Sequence, residues 1–384
     1  MKSQYLVITM VAAILLLANC SNEKESWEQL PSTPITGADA TITFNGERSY
    51  GIVTLDAQSA TKGLLTLDNV IPGYALEEVN VTLDEKTDGS FAVDGSKMLM
   101  NPPVIMPISR AEASPTGIYE LKATGVVTKE GKAFIDITTA LTTEAGSSMA
   151  GRWMPENMLP VAMPYLSHSP AVVSVTLAGK PTESAELSTK LSLAAGAIIY
   201  NVIGAVELAS DGNLTVEYSP EIDAEKIIAE GINEAAGEYA DMKLPKLASA
   251  KNMIFWYATG EMLSISPIVP KIIYQVAVDK GENPNLNDGA TTEKTEKLIA
   301  DLAAKGVDTA SLLKMLNELN STGIPMGLKH EGNNMSIIIT KEMVDPIITL
   351  LSPALPSLGI NELEELGKVW QEVTDFSLTL NFSC

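Results

Sequence analysis

Between residue 39 and about residue 220 the chain alternates with a period of two. Thr41-Ile42-Thr43-Phe44, Val79-Asn80-Val81-Thr82-Leu83 and Leu214-Thr215-Val216-Glu217-Tyr218 each set apolar side chains on one face and polar ones on the other. That spacing specifies strands with one face on a core and one in water, the habit of antiparallel sheets. Asp88-Gly89, Glu130-Gly131 and Asp211-Gly212 separate such runs; glycine supplies the positive φ of a tight hairpin. Roughly ten strands fit here, enough for an antiparallel sandwich or an open barrel. Residues 149–170, with four prolines, read as a long irregular connection.

After Pro220 the period becomes helical. Ile222, Ile227, Ile228, Ile232, Ala235, Ala236 and Tyr239 share a face. Helices are expected over 294–305, ending at Gly306, and over 309–320, with Asp308 as N-cap and Leu312, Leu316 and Leu319 as apolar stripe. Two hairpins interrupt them, turning at Thr259-Gly260-Glu261 and at Glu331-Gly332-Asn333-Asn334. Each precedes a proline-punctuated apolar stretch, an internal echo. A helix over 362–372 and a strand with Phe376, Leu378, Leu380 and Phe382 on one face close the chain. The fold class expected is α+β. A β-rich domain over 39–220 is followed by a mixed helix-and-hairpin domain over 221–384.

The N-terminus carries an address. Residues 6–17 are an apolar run behind Lys2, ending in Leu17-Ala18-Asn19-Cys20. The run is shorter than the roughly 20 residues of a spanning helix. Polar residues Ser21-Asn22-Glu23-Lys24-Glu25-Ser26 follow at once, so 1–19 reads as a secretory signal peptide. Its end resembles a bacterial lipoprotein box, with Asn19 departing from the small residue common before the cysteine. The resemblance implies that Cys20 is acylated and becomes the mature N-terminus. Ser21 in place of Asp resembles lipoproteins sent to an outer membrane, and Glu23-Lys24-Glu25 resembles the acidic surface-export signals of gut Bacteroidetes. Residues 20–38, with Pro31 and Pro34, read as a flexible tether.

Composition narrows the function classes. Forty-eight acidic residues against 26 basic ones give a net charge of −22. Such a surface repels phosphate, which speaks against nucleic acid and against electrostatic adhesion to anionic membranes. Attachment then falls to acyl chains. The cysteines are Cys20 and Cys384; with Cys20 acylated the chain has no intramolecular disulfide and must hold by core packing. With only His168 and His330, zinc or haem is poorly supported and no cofactor is expected.

Catalytic patterns are weak. Gly146-Ser147-Ser148-Met149-Ala150-Gly151 departs from Gly-x-Ser-x-Gly, and no apolar strand precedes it; His168 reads as a loop residue. Asn283-Pro284-Asn285-Leu286-Asn287-Asp288-Gly289 and Asp84-Glu85-Lys86-Thr87-Asp88-Gly89 read as turns. In them Asp288, Lys294 and Lys86 hold positions a calcium loop needs otherwise. A carboxylate pair for glycoside hydrolysis has no spacing signature. Asp308-Thr309-Ala310 resembles a glycosylation site of exported Bacteroidetes proteins, making Thr309 a candidate; the N-cap role of Asp308 explains the same residues. The chain is 45% apolar with 16 methionines but only 5% aromatic. Phe255, Tyr257, Met262 and Met343 are candidate lining of an apolar ligand cavity between a hairpin and the helices; ordinary core packing is the alternative.

Several of these features together resemble a family of uncharacterised Bacteroidetes lipoproteins of similar length, over nearly the whole chain. They are the lipobox, the acidic tether, the β-rich front half and the runs Met253-Ile254-Phe255-Trp256-Tyr257-Ala258-Thr259-Gly260-Glu261 and Asn334-Met335-Ser336-Ile337-Ile338-Ile339-Thr340-Lys341-Glu342. The resemblance implies no activity and transfers no functional residue beyond Cys20. The expectation is a lipid-anchored envelope protein of the bacterial outer membrane with a non-catalytic binding or carrier role for an apolar small molecule or lipid. Its partners are then the membrane, through acylated Cys20, and a hydrophobic ligand, with no nucleic acid. The alternatives are a pilus-like structural or adhesive surface protein, against which the helical residues 294–320 speak, and a glycan-processing hydrolase.

Overall fold

The computed structural model describes residues 24–49, 51–71, 74, 76–99, 118–142, 148–157, 159–162, 165–220, 223–233, 238–239, 242–267, 272, 300, 303–311, 314–315, 323–351, 353 and 361–384. The signal peptide, Cys20, residues 283–289 and Lys294 lie outside them.

The first sheet is built from β1 (Ala40–Phe44), β2 (Glu47–Ser49), β3 (Ile52–Ser59), β4 (Lys62–Asp68), β5 (Leu76–Glu85), β6 (Phe91–Leu99), β7 (Tyr119–Val127) and β8 (Ala133–Leu141). From β3 to β8 it is a meander, each strand antiparallel to the next, and β1 adds parallel to β8. The sheet curls. Ile35 makes a two-bond bridge to Val53 on β3, and five residues later the chain enters β1 at the far side. The N-terminal segment thus spans the gap that a flat sheet would leave open. The curl needs close backbone approach at Gly125, where a Cβ would overlap the Phe134 carbonyl. Period-two alternation fills the inside: Val53, Leu55, Leu65, Val79 and Leu121 are fully buried. Burying each such side chain stabilises by about 1.5–3 kcal/mol.

The second sheet draws on both halves of the chain. Past β8 come β9 (Gly151–Pro155), a small hairpin of β10 (Leu159–Ala162) and β11 (Tyr165–His168), β12 (Ala171–Leu177), α1 (Pro181–Val202), β13 (Ile203–Leu208) and β14 (Leu214–Tyr218). Then follow α2 (Ala224–Gly231), the two-residue strands β15 (Ile232–Asn233), β16 (Glu238–Tyr239) and β17 (Leu247–Ala248), and β18 (Ile254–Thr259) with β19 (Met262–Pro267). The chain ends with β20 (Ile324–Glu331), β21 (Asn334–Thr340), α3 (Lys341–Leu351), α4 (Asn361–Val369) and β22 (Val373–Ser383). The strand order is β17-β14-β13-β9-β22-β21-β20-β19-β18, with β12 also on β22. A bridge from Asn213 to Phe255 brings the two ends of this sheet together as well.

β18 is the shared wall. Phe255 and Tyr257 point into the first core, while Trp256 and Ala258 point into the second. The chain is strand-rich with few helices, compatible with α+β. The boundary expected at 220 does not separate the sheets, because β9, β12 and β14 pair with strands from the C-terminal half, and β13 lies between β14 and β9. Which strands pair over such separations is not written in local alternation.

Three further expectations are corrected. The tether expected over 20–38 is pinned from Trp27 onward: a short 3-10 turn (Ser26–Gln29) sets Trp27 against the first core, and Leu30 and Ile35 are buried there. Residues 149–170 contain β9, β10 and β11. The third, and largest, is α1, a 22-residue helix inside the stretch read as β. Pro181 and Glu183 start it, the residue types a helix N-terminus favours. Leu187 and Leu191 pack with Leu366, Trp370 and Phe376. The helical face expected to run to Tyr239 ends with α2 at Gly231. The described parts of 294–305 and 309–320 are mainly helical, and the two echoing hairpins stand side by side through the β19–β20 pairing. The last strand is built into the sheet, with Phe376 in the cluster under α1 and Phe382 in the second core.

Candidate functional site

Three of the four residues proposed to line an apolar cavity lie together. Phe255 and Tyr257 close one end of the first sheet's interior, and Met262 packs partly buried against the same core. Phe255 tilts against Phe44 at a centroid distance of 5.4 Å, and Tyr257 meets Tyr119 edge-on at 6.5 Å. Met343 is elsewhere, in the second core, where its Sδ accepts the Thr340 N–H at 3.5 Å. The reason is the pleat: alternate residues of β18 face opposite cores, and α3, which carries Met343, packs on the other side. The four therefore do not line one cavity.

Nor, among the described residues, is there room for a ligand beside Phe255 and Tyr257. The void bounded by Phe44, Tyr74, Tyr119, Phe255 and Tyr257 has a volume of about 10 Å³, enough for about one water. Its polar groups are neutral phenols and hydroxyls. Burial pushes the Tyr74, Tyr119 and Tyr257 phenols above their ordinary value, with the Glu77 charge adding to the effect at Tyr74. Tyr119 donates its hydroxyl proton to the Trp256 carbonyl. The Tyr257 Oη and the Ser264 Oγ, opposite each other on β18 and β19, are buried without a well-formed hydrogen bond.

Beside this void the two sheets are riveted by backbone and amide groups. Leu141 N–H reaches the Ser210 carbonyl at 2.8 Å, and within the second sheet Trp256 N–H reaches the Gly212 carbonyl at 2.9 Å. Asn252 Nδ2 donates to the Phe44 carbonyl and Thr139 Oγ1 to the Asp211 carbonyl, both at 2.6 Å. Two amide atoms of the same junction, Asn213 Nδ2 and Asn252 Oδ1, are buried without a hydrogen bond, which is costly in such a place.

A different concavity opens at the far rim of the second sheet. The turn joining β18 to β19, the end of β20 and the short turn before β9 enclose a cleft of about 420 Å³. Ser148, Glu261, Lys329, His330 and Glu331 line it, with Met149, Gly260 and Leu328. Leu328 N–H bonds the Glu261 carbonyl at 2.8 Å, fixing the turn over the strand. Trp153 holds the His330 ring edge-on at 5.5 Å, and the indole N–H is itself tied to the Met149 carbonyl at 2.9 Å. The wall of the cleft thus includes Lys329, His330, Glu331, Glu261 and Ser148 on a braced frame. No periodicity marks these residues, because they meet through two hairpin ends and a loop; only His330, one of two histidines, stood out in the sequence. A wider groove, about 660 Å³, is lined by Asp308, Lys314, Met315, Asp345, Leu350 and Pro353, among others.

Asp308 caps a helical turn as expected. Its Oδ1 accepts the Ala310 N–H at 3.1 Å and the Ser311 N–H at 3.3 Å, and Ser311 Oγ donates to its Oδ2 at 2.7 Å. The Ser311 hydroxyl and N–H hold the carboxyl below the ordinary range. Thr309 beside it is half-buried. Ser148 and Met149 form a turn leading into β9, and Gly146 and Ser147 lie outside the described residues. Among the described residues no group of three or more His, Cys, Asp or Glu is placed to hold a metal, and no helix is long and apolar enough to cross a membrane. No protein-family model, no curated protein and no solved structure matches this chain.

Proposed function

We propose that the chain is a lipid-anchored protein of the bacterial cell envelope, fastened to the outer membrane through acylated Cys20, with a non-catalytic binding role. The lipobox and its resemblance to Bacteroidetes lipoproteins support the location. The ligand we propose is polar, and its place is the cleft of Lys329, His330, Glu331 and Glu261. One contrast carries this reading. The void among Phe44, Tyr119, Phe255 and Tyr257 has about 10 Å³, whereas the charged cleft has about 420 Å³, in the range of small-molecule sites. An apolar ligand of the kind first expected could enter the first core only by parting Phe255 and Tyr257 from their partners.

The chain from Ser21 onward, which contains every described residue, serves for the test. With only two histidines, the imidazole resonances can be assigned by His330→Gln. Titration with neutral oligosaccharides, amino acids and short peptides should move the His330 signals with one class, and Lys329→Ala should weaken the response. If no class moves them, or if native mass spectrometry finds a co-purified lipid, the reading fails.

A further inference from the structure

The stretch between Cys20 and Trp27 sets how far the folded body can stand from an anchor on that sulfur. Ser26 is six positions on from Cys20. An extended chain covers at most about 3.5 Å per residue, so the two Cα atoms lie within about 21 Å of each other. Ser26 is itself fastened to the first sheet. Its hydroxyl donates to Glu85 Oε1 and accepts from the Lys129 ammonium at 2.5 Å, and Lys129 pairs with Glu85 at 3.7 Å. Trp27 packs against the first core, with its indole N–H on Glu25 Oε2 at 2.6 Å, and Leu30 is buried there.

Glu85 and Lys129 mark one end of the first sheet. The turns of three neighbouring hairpins stand there: β3 to β4 at Ser59–Lys62, β5 to β6 at Glu85–Phe91 and β7 to β8 at Val127–Ala133. The opposite end holds Phe44 and Leu141, which bond to Asn252, just before β18, and to Ser210, between β13 and β14. The second sheet therefore joins the end away from the hairpin turns. The nine residues of β7 and of β8 separate the two ends, roughly 20–25 Å at the usual rise and the tilt of a curled sheet.

The hairpin end carries the exposed lysines Lys62, Lys86 and Lys132. Two of its carboxylates are engaged within the protein. Glu85 is held by Ser26 and Lys129, and Asp88 accepts the Ser90 N–H and Oγ–H at 3.0 and 2.6 Å. Asp84 and Glu130 stand exposed beside them, so charge alone would not hold this end to an anionic bilayer.

We propose that the hairpin end is the membrane-facing surface of the protein, its occupant the headgroup layer of the bilayer that holds acylated Cys20. The inference rests on the lipid anchor proposed above. The tether is no longer than the first sheet is deep, so the turns meet the headgroups while the second sheet stands a sheet's depth farther out. Lys62, Lys86 and Lys132 then face lipid phosphates, and attachment itself comes from the acyl chains. The cleft around His330, on the second sheet, is held clear of the bilayer.

The test uses the full acylated chain in vesicles of phosphatidylethanolamine and phosphatidylglycerol. A short amine-to-amine crosslinker joins lysines to the phosphatidylethanolamine amines beside them, and peptide mass spectrometry identifies the lysines that carry lipid. Each lysine is scaled by its reaction with the same reagent in the Cys20→Ser chain in solution. Lys62, Lys86 and Lys132 should carry lipid at least roughly fivefold more often than Lys251 and Lys329, which lie a sheet's depth farther off. An even or reversed distribution on vesicle-bound chain overturns the inference and leaves the anchor standing. Flotation with the vesicles reports on the anchor separately: if the full chain and Cys20→Ser behave alike, the anchor fails and this inference with it.

Discussion

Val175 hands its backbone proton to Ser188 across 2.8 Å, so a helix side chain completes a strand. Removing the hydroxyl leaves that donor without a partner in a largely dry place. Ser188→Ala should lower the unfolding free energy by about 1–3 kcal/mol. Thr189→Ala, one residue on and half-buried, with its hydroxyl on the helix's own Ala185 carbonyl, should change it by no more than about 0.5 kcal/mol. Urea unfolding of the two variants checks the contrast.

Two neighbouring tyrosines should answer differently to loss of their hydroxyls. Tyr119 bonds the Trp256 carbonyl, whereas the Tyr257 hydroxyl is buried without a well-formed partner. Tyr119→Phe should cost about 1 kcal/mol or more, and Tyr257→Phe should be neutral or mildly stabilising. Thermal unfolding of the pair against the parent reads this.

Gly125 is where the first sheet closes most tightly. A methyl there would overlap the Phe134 carbonyl on the neighbouring strand, and backbone cannot swing aside as a side chain can. Gly125→Ala should destabilise by about 3 kcal/mol or more, at the severe end for single substitutions. Its soluble yield and denaturation midpoint would show it.

Asp345 ties α3 to Trp370. The Lys341 ammonium and then the Trp370 indole N–H, at 2.8 and 2.9 Å, hold its carboxyl below the ordinary value of 3.8. A depressed carboxyl contributes stability that is complete above the unfolded value and lost as pH falls through the folded one. Its side chain is 48% exposed, so screening limits the contribution to about 0.5 kcal/mol. Asp345→Asn should trail the parent by that much at neutral pH and converge with it on acidification below 3.8. Chemical unfolding at a series of pH values measures the gap.

The proposed anchor has its own test. Cys20→Ser should move the chain from the detergent phase to the aqueous phase in phase partitioning, because each acyl CH₂ contributes about 0.8 kcal/mol to membrane binding. A variant that stays with detergent would dissociate the protein from lipid anchoring at this residue.

Much of the local structure was legible. The alternation of Val79, Val81 and Leu83, the Asp88-Gly89 turn, the Asp308 cap and the closing run from Phe376 to Phe382 all reappear, since each depends on neighbours a few residues away. α1 was missed although Pro181, Glu183, Leu187 and Leu191 carry a helical signature. Its serines at 184, 188 and 192 look like a wet face by composition, and they are the face turned to β12. The cleft around His330 was not legible either, because its wall joins residues 148, 261 and 329–331, which share no period.

The amino-acid order alone determined which stretches could be strands and which side of each would be apolar. Side-chain period and turn chemistry are properties of a few adjacent residues. Only the tertiary structure decided that β9 and β12–β14 join the C-terminal strands, and that β18 serves two cores. It also decided that Phe255 and Tyr257 stop up the first core instead of lining a cavity. Those outcomes rest on pairing between residues far apart in the chain, where many registers satisfy the same alternation. Packing selects among them by which one buries both faces of β18 and leaves no edge of β12 unmet.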